Sequence, residues 1–422
     1  MPESVNNIMK LWVRDFNRTY PRLLNEVNEL LMKLNKSLIN NFNASLLKSL
    51  INLTKEGRSL YSTALKEFHS GNYYAAASDM FGAVIDLDRV RWIIKVISSN
   101  NVSRELSELL NYAEESVDNA SKTLKVLENK LLSEGSIDIS KLSVIIEVSK
   151  RVYEARTLLN QLRNEVINIT ATNRAKSRSE VLPKLLNFVS EAVYTYWRGG
   201  SAIAWSKLID AVPKSNLSVS RLGIEESATL LTHYSQVSTS YIGTFLSSRY
   251  RFFVNELSSE VRDASRYLSN DSVMALAICM SALARVAAAL NTMFSLNDTS
   301  KALMLREEVL KAIARAEHLG MFPLVALTYL ERGDSVLRMD PISAIYFYDL
   351  ALTNTVWYLL MAKQVNVGPG ISESLTSTQP YLASVSAVKH LITYLATLAL
   401  GIVIGSVITY YLTLKRRQVR SS

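Results

Sequence analysis

The fold is decided by a short segment that reads GNYYAAASDMFGA, residues 71–83. Apolar residues recur at helical spacing on both sides of this segment, and Gly71 interrupts that periodicity. The pattern predicts a helix over roughly residues 45–69, a turn at Gly71, and a second helix that carries Ala76 and Ala83. Because residues seven positions apart lie on one helical face, these small side chains allow a neighbouring helix to pack closely.

This combination of a turn and two Ala residues occurs three more times in the chain. In each copy the Ala residues follow the turn residue by four and eleven positions. The predicted turns are Gly199-Gly200, Asn270-Asp271 and Met339-Asp340, and the corresponding pairs are Ala204 and Ala211, Ala275 and Ala282, and Ala344 and Ala351. The sequence therefore predicts four helical hairpins.

The composition argues against several other fold classes. Gly (14) and Pro (8) make up about 5% of the 422 residues, against roughly 12% in average proteins. β-Sandwiches, β-barrels and Gly-loop nucleotide folds need both residues for their turns, so the composition argues against these classes. Hydrophobic residues at 48% and charged residues at 20% exclude a disordered chain. The single Cys279 excludes an internal disulfide framework and a Cys-rich metal site. An all-α protein remains.

The segment around Gly71 resembles the tetratricopeptide helical hairpin. That family places a Gly at the turn, a Tyr two residues later, and small residues five and twelve positions after the Gly. The first copy matches at Gly71, Tyr73, Ala76 and Ala83. In the second copy Gly199 matches but Ser201 replaces the Tyr, and the last two copies lack the turn Gly. The resemblance implies a stacked array of hairpins. Four unrelated helical hairpins are the alternative.

Residues 103–170 carry a different pattern, which lies between the first two hairpins. Apolar residues alternate three and four positions apart over residues 106–131 and again over residues 142–169. A short polar turn with a Gly, residues 133–136, separates the two runs. Two heptad helices joined in this way predict an antiparallel coiled-coil arm. The sequence leaves open whether the arm projects or packs back on the array.

The last hydrophobic stretch predicts a membrane anchor. Residues 391–414 are 24 consecutive residues without a charge. As a helix they would be roughly 36 Å long, enough to cross about 30 Å of hydrocarbon. Lys389 is the nearest charge before the stretch, whereas four basic residues follow it: Lys415, Arg416, Arg417 and Arg420. Because cytoplasmic flanks are enriched in basic residues, we predict a cytoplasmic C-terminus and an extracytoplasmic body.

These patterns divide the chain into six parts. They are the N-terminal helices with the first hairpin (1–102), the coiled-coil arm (103–170), the further hairpins (171–363), a flexible stalk (364–388), the transmembrane helix (389–414) and the basic tail (415–422). The stalk is predicted because Gly368-Pro369-Gly370 and a polar stretch end the helical pattern.

The charge distribution limits the partners that we expect. The net charge is +9, but about +4 remains on the body without Lys389 and the four tail residues, too little for a nucleic-acid surface. The expected partners are the membrane and another protein. Gly401 and Gly405 form a small-xxx-small pair, which is typical of transmembrane helices that dimerise. A homodimer through this pair is therefore one expectation.

Glycosylation motifs agree with an extracytoplasmic body. Chance predicts about five Asn-x-Ser/Thr triplets in a chain of this composition. The chain has ten, all before the membrane segment: Asn17, Asn35, Asn43, Asn52, Asn101, Asn119, Asn168, Asn216, Asn270 and Asn297. The excess predicts a glycosylated surface, and a Ser- and Asn-rich composition is the alternative explanation.

The first residues disagree with export, because residues 1–7 contain no apolar run and no cleavage signature. Either an export signal lies upstream, or the protein is tail-anchored with its body in the cytosol. We favour the upstream signal, since tail anchoring would require translocation of four positive charges.

The order of the predicted elements along the chain resembles a second protein family. A long helical region, a hairpin, a stalk, one C-terminal helix and a basic tail resemble the downstream part of membrane-anchored archaeal Lon-like serine peptidases. That family places a signal and a Ser-Lys protease domain before such a region. Its catalytic Ser lies in a Gly-Pro-Ser-Ala-Gly run, whereas Gly368-Pro369-Gly370 here lacks the Ser. The resemblance therefore implies an accessory and anchoring region and supplies no catalytic residue.

No catalytic, cofactor or metal-binding motif occurs in the sequence, so we expect a non-enzymatic protein without a cofactor. The four His residues are isolated, without a second ligand at helical spacing. Tyr73, Tyr74 and Tyr196 either line a peptide groove or pack in the core. The predicted function is a single-pass membrane protein whose helical body is an extracytoplasmic protein-binding scaffold.

Overall fold

A computed structural model describes residues 1–37, 44–173, 178–245, 251–293 and 298–365 of the chain. Within these ranges the chain forms twelve helices, which confirms the predicted all-α class. They are α1 (Glu3–Ser37), α2 (Ala44–His69), α3 (Tyr73–Ser98), α4 (Val102–Leu132), α5 (Ile139–Asn173), α6 (Arg178–Ser206), α7 (Arg221–Phe245), α8 (Arg251–Tyr267), α9 (Ser272–Met293), α10 (Asp298–His318), α11 (Leu324–Val336) and α12 (Pro341–Val365).

The C-terminal predictions concern residues outside these ranges. Residues 364 and 365 end α12. The rest of the predicted stalk, the transmembrane helix with Gly401 and Gly405, and the basic tail all lie outside the described residues. They therefore stay predictions.

Two three-residue strands accompany the helices. β1 (Ser136–Asp138) and β2 (Ser218–Ser220) pair antiparallel, with Ile137 opposite Val219. Both of these apolar side chains are buried. The strand pair therefore fixes the α4–α5 connection against the segment that precedes α7.

The twelve helices of the described ranges group into four consecutive units of three. In each unit the third helix packs against both of the others: α3 on α1 and α2, α6 on α4 and α5, α9 on α7 and α8, and α12 on α10 and α11. The helices α3, α9 and α12 are apolar on most sides, whereas α1, α4 and α8 have one apolar and one polar face. Because a helix that is apolar all round must be covered, these three helices form the centres of the first, third and fourth units.

The four units contact one another in a closed circuit. α3 packs on α6, α5 on α9, α9 on α12, and α11 on α3. A polar contact bridges each junction: Trp197 Nε1 to Asp88 (2.8 Å), the Tyr153 hydroxyl to Asp263 (3.0 Å), the Asn291 amide to Asp349 (3.0 Å), and Arg332 to Asp79 (2.5 Å). The fourth unit thus returns to the first, and the interior of the circuit is enclosed by helices of all four.

Three of the four predicted turns lie between consecutive helices. Gly71 lies between α2 and α3 and has a φ of +84°, a backbone conformation that favours glycine. Residues 268–271 connect α8 to α9, and residues 337–340 connect α11 to α12. The Ala residues that follow these turns are fully buried: Ala76, Ala83, Ala275, Ala282, Ala344 and Ala351.

The predicted turn at Gly199-Gly200 is wrong, because both residues lie inside the continuous helix α6. Gly199 lies where α6 crosses α4, and a Cβ atom there would come within 2.9 Å of the Ser116 carbonyl oxygen. The Gly is therefore needed for close approach of two helices. Ala204 and Ala211 do not follow a turn; both are half-buried, and Ala211 lies beyond the end of α6.

The crossing of α4 and α6 gives a test with a matched control. We expect Gly199→Ala to lower the free energy of unfolding by about 1–3 kcal/mol, because the new methyl group overpacks the contact with Ser116. Gly200→Ala, where nothing lies within 4 Å of the added Cβ, should raise it by about 0.4–1 kcal/mol. Urea unfolding of the full chain measures both changes. Equal effects of the two variants would contradict the close contact between α6 and α4 at Gly199.

The two helices of the predicted arm lie antiparallel within the second unit. Arg163 contacts Glu114 at 2.7 Å and Arg156 contacts Ser121 at 2.9 Å, so contacts run in opposite directions along α4 and α5. However, α6 packs on both helices. The coiled-coil pair is therefore two thirds of a three-helix unit and does not stand apart from the body.

One described helix is apolar enough to cross a membrane by length and composition. It is Ser272–Thr292, which forms most of α9. Of the most apolar 18 consecutive residues in this helix, 67% are buried inside the protein. α5, α7, α8 and α12 all pack against it. This burial is typical of a core helix, so we interpret α9 as the centre of the third unit.

Candidate ligand-binding site

A large cavity lies where the four units meet, and we call it the central cavity. Its wall is formed by α1 and α3 of the first unit, α5 and α6 of the second, α8 and α9 of the third, and α11 and α12 of the fourth. Its volume is about 1080 Å³ and it opens to solvent. The closed circuit of units therefore surrounds a space that is accessible to a ligand.

Aromatic and charged side chains dominate the wall of the central cavity. Twelve of its 35 lining residues are aromatic, against 9% of the whole chain. They are Trp12, Phe16, Tyr74, Phe81, Tyr153, Tyr194, Trp197, Trp205, Phe252, Tyr329, Tyr346 and Phe347. Ten lining residues are charged, five of each sign: Asp15, Glu154, Glu256, Glu260 and Asp263, and Lys150, Arg151, Arg198, Lys207 and Arg285.

Helices α5 and α6 place three basic residues at the cavity, Lys150, Arg151 and Arg198, which we call the basic cluster. Their carboxylate partners are Glu147 and Glu154. Arg151 Nη2 lies 2.8 Å from Glu147 Oε1, Lys150 Nζ lies 4.0 Å from Glu147 Oε2, and Arg198 pairs with Glu154. Three positive charges face two negative ones, so this group of five carries one excess positive charge.

The basic cluster is buried and ionised. The side chains of Lys150, Arg151 and Arg198 are 10%, 8% and 12% exposed. Burial lowers the pKa of Lys150, but Glu147, together with Tyr329, Tyr346 and Glu154, outweighs burial and holds that pKa well above its ordinary value. Burial opposes ionisation of Glu147 too, yet Lys150 and Arg151 together lower its pKa. Each charge therefore depends on its neighbours.

Several hydrogen-bond donors of the basic cluster have no partner. The Nε atoms of Arg151 and Arg198 are buried and make no hydrogen bond, although Arg151 Nη1 donates to the Ser201 hydroxyl at 3.2 Å. Lys150 Nζ donates one hydrogen bond, to the Tyr329 hydroxyl at 3.0 Å, of the three that an ammonium group can make. Unused buried donors are costly unless a ligand or water accepts from them.

The charge balance is reversed on α8, where Glu256, Glu260 and Asp263 form an acidic wall of the central cavity. Arg285 of α9 pairs with two of them, at 2.8 Å from Glu256 and 2.6 Å from Glu260. Asp263 accepts a hydrogen bond from the Tyr153 hydroxyl at 3.0 Å. Burial raises the pKa of Glu260. The cavity thus has a basic side on α5 and α6 and an acidic side on α8.

The sequence leaves two alternatives for Tyr73, Tyr74 and Tyr196, a peptide groove or the core. Of these, Tyr74 is buried and also lines the central cavity, where its ring meets Trp205 edge-on at 5.8 Å. Tyr196 lines a second cavity of about 690 Å³ between α1, α3, α4 and α6. Tyr73 lines neither and packs edge-on against Phe68 at 5.4 Å. The structure therefore separates residues that the sequence suggested as one group.

The sequence does not predict the basic cluster, because the heptad pattern of α5 indicates a single apolar seam. That interpretation assigns Lys150, Arg151 and Glu154 to a solvated face. A signal was present nevertheless: Val144 and Val148 lie off the heptad positions and are fully buried. Apolar residues outside the seam indicate that a helix is covered on more than one side.

The glycosylation candidates lie on the surface wherever their side chains are described. Seven are exposed: Asn17, Asn52, Asn101, Asn119, Asn168, Asn216 and Asn270. Asn43, Asn297 and the side chain of Asn35 lie outside the described part. Exposure permits modification, and use of these sites stays a prediction.

No protein family, curated protein or solved structure matches the chain. The tetratricopeptide and Lon-like resemblances therefore stay predictions.

Across the described ranges no three His, Cys, Asp or Glu side chains come together to hold a metal ion. Cys279 is fully buried in α9, and burial raises the pKa of its thiol. The central cavity is thus the candidate site that the structure defines.

Proposed function

We propose that this chain is a membrane-anchored, non-enzymatic binding protein whose central cavity takes a peptide segment of another protein. The observation that carries the proposal is the aromatic and charged wall of this cavity, to which all four helical units contribute. Closure of the circuit brings residues of all four units to one cavity, and binding of a ligand there gives this arrangement a function.

The size of the cavity supports a peptide ligand. Pockets for single small molecules measure roughly 300–1,000 Å³, and the central cavity, at about 1080 Å³ and open to solvent, lies at the upper end of this range. A chain segment with several side chains uses such a volume better than one small molecule does. The wall also offers both signs of charge, which suits the mixed side chains of a peptide.

The aromatic wall supports binding of a protein segment. Aromatic residues are enriched where proteins bind one another, because they supply large contact areas at a small cost in side-chain entropy. Phe252 lines the cavity and is 81% exposed, so a ligand can cover it. An exposed aromatic ring at the opening of a pocket is a strong candidate for an anchoring contact.

The remaining parts of the proposal come from the sequence. Residues 391–414 would anchor the body in the membrane, with the basic tail in the cytoplasm and the body outside. A tetratricopeptide-like relationship fits this function, since such helical arrays present surfaces for other proteins. The buried Ala pairs after three of the turns are what supports that relationship here.

Substitution at the opening of the cavity tests the proposal. Peptides of 12 residues are selected from a random library on the immobilised full chain in detergent. We expect Phe252→Ala to weaken binding of the selected peptides about tenfold, which corresponds to ~1.4 kcal/mol. The fold should be retained, because the Phe252 ring makes few contacts within the body.

Val126→Ala is the matched control for this experiment. Val126 is 66% exposed on α4 and does not line the central cavity. Its substitution should leave the dissociation constants unchanged, as measured by fluorescence anisotropy. The proposal is wrong if the library yields no binding peptide, or if both variants bind the selected peptides as the original chain does.

A further inference from the structure

We infer that the basic cluster of Lys150, Arg151 and Arg198 binds the C-terminal carboxylate of the peptide. This inference rests on the proposed function and deepens it: the peptide enters the central cavity by its carboxyl end. A further carboxylate, beside those of Glu147 and Glu154, is the chemical group that would match the excess positive charge of the cluster.

The charge balance is the first argument. Lys150, Arg151 and Arg198 face two carboxylates, Glu147 and Glu154, and all three basic side chains are nearly nine-tenths buried or more. A buried charge without a counter-charge is unfavourable. The whole lining carries five charges of each sign, so the excess is local to the basic cluster, where one further anionic group, such as a peptide carboxylate with its single charge, would balance it.

The unused donors are the second argument. Arg151 is 8% exposed, and its Nε has no hydrogen-bond partner. Arg198 Nε has none either, and Lys150 Nζ donates a single hydrogen bond. Guanidinium Nε and Nη atoms form a planar fork that matches the two oxygens of a carboxylate. Both Nε atoms are shielded from solvent, but the ammonium and guanidinium side chains themselves line the cavity and are of the type that holds a carboxylate.

The acidic wall of α8 determines the direction in which the peptide lies in the cavity. Glu256, Glu260 and Asp263 face the same cavity, with Arg285 as the basic partner of the first two and Arg266 as that of Asp263. A carboxylate would be repelled by this side and attracted by the basic cluster. Basic side chains or backbone N–H groups further along the peptide would be favoured beside α8.

A carboxylate can come from two sources, the end of a peptide or a small free acid, and the experiment separates them. The selected 12-residue peptides are synthesised as free acids and as C-terminal amides, and their dissociation constants for the full chain are compared. N-acetylphenylalanine and its carboxamide serve as small probes, with the shift in unfolding temperature as the measurement.

We expect the free-acid peptides to bind at least tenfold more tightly than the amides. Lys150→Met removes the excess charge while keeping a side chain of similar length, so the acid and amide forms should then bind within about threefold of each other. Lys122→Met is the control: Lys122 is exposed on α4, away from the cavity, and its loss should leave the tenfold preference unchanged.

Three results would overturn the inference. The first is equal binding of acid and amide peptides by the original chain, a comparison that needs no variant. The second is a preference that survives in a folded Lys150→Met protein. The third is stabilisation by N-acetylphenylalanine, but not by its carboxamide, while the peptide forms bind alike; the cluster would then take a small acid. If the library yields no peptide, the proposed function itself fails, which is a distinguishable result.

Discussion

Glu147→Gln should lower the free energy of unfolding by about 3–5 kcal/mol, because it leaves two buried cations without their shared carboxylate. Glu147 is 3% exposed, lies 2.8 Å from Arg151 Nη2, and accepts a hydrogen bond from the Tyr329 hydroxyl at 2.9 Å. The amide of Gln keeps the shape of the side chain but loses its charge. On α5, Glu154 would then be the carboxylate left to the basic cluster, and it is already paired with Arg198.

Two comparisons make this prediction specific. In the double variant Glu147→Gln with Lys150→Met, one of the uncompensated charges is also removed, so part of the lost stability should return. Glu225→Gln, in an exposed pair with Arg221, should change stability by about 1 kcal/mol or less. Urea unfolding of the full chain measures all three variants. A Glu147→Gln protein within about 1 kcal/mol of the original would show that the charges of the cluster do not depend on one another.

The pKa of Glu147 gives this stabilisation a pH dependence. Its cationic neighbours lower that pKa in the folded chain. The contribution of Glu147 is therefore fully present above the ordinary pKa of a Glu, and it is lost as the pH falls through the lowered value.

Glu128→Gln should have the opposite effect and stabilise the protein at high pH. Glu128 lies on α4, and burial, together with the nearby charge of Asp271, raises its pKa from 4.5 to about 8, although Arg156 opposes the rise. Its Oε1 atom is buried and has no hydrogen-bond partner. Ionisation of this carboxyl group is therefore unfavourable in the folded chain.

The raised pKa determines the sign of the pH effect. The unfolded chain releases the Glu128 proton near pH 4.5, whereas the folded chain retains it up to about pH 8. Stability consequently falls as the pH rises through this window and is constant above it. Since Gln cannot ionise, the gain from Glu128→Gln should be small at pH 5 and on the order of 3 kcal/mol at pH 9.

Thermal or urea unfolding at the two pH values tests this difference. Glu134→Gln, at an exposed position in the turn after α4, is the control and should change stability by about 0.5 kcal/mol or less at both. An effect of Glu128→Gln that is the same at pH 5 and pH 9 would contradict burial of an ionisable group at this position.

The sequence predicts the local structure where one residue has one physical role. At Gly71 the interruption of apolar periodicity coincides with a positive φ, so the predicted turn and the two flanking helices are correct. Gly199 produces the same signal in the sequence for a different reason, the close approach of α6 to Ser116. A glycine that permits a turn and one that permits a helix crossing cannot be distinguished without the partner helix.

The candidate site is harder to predict, because it is assembled from residues far apart in the chain. Lys150 and Tyr329 are 179 residues apart in the sequence, yet they share a hydrogen bond across the cavity wall. Glu128 lies four residues after Leu124 and three before Leu131, at the margin of the apolar stripe of α4. Burial at such a margin depends on which neighbouring helix covers it, and periodicity alone carries no information about that neighbour.

The central claim is that four helical units enclose a cavity that receives the carboxyl end of a peptide. The most direct measurement is a crystal structure of the full chain with one of the selected 12-residue peptides. We predict that the peptide lies in the central cavity, against Phe252 and with its terminal carboxylate within hydrogen-bond distance of Lys150 and Arg151. A peptide bound on the outer surface of the body, with the cavity left to solvent, would contradict the account.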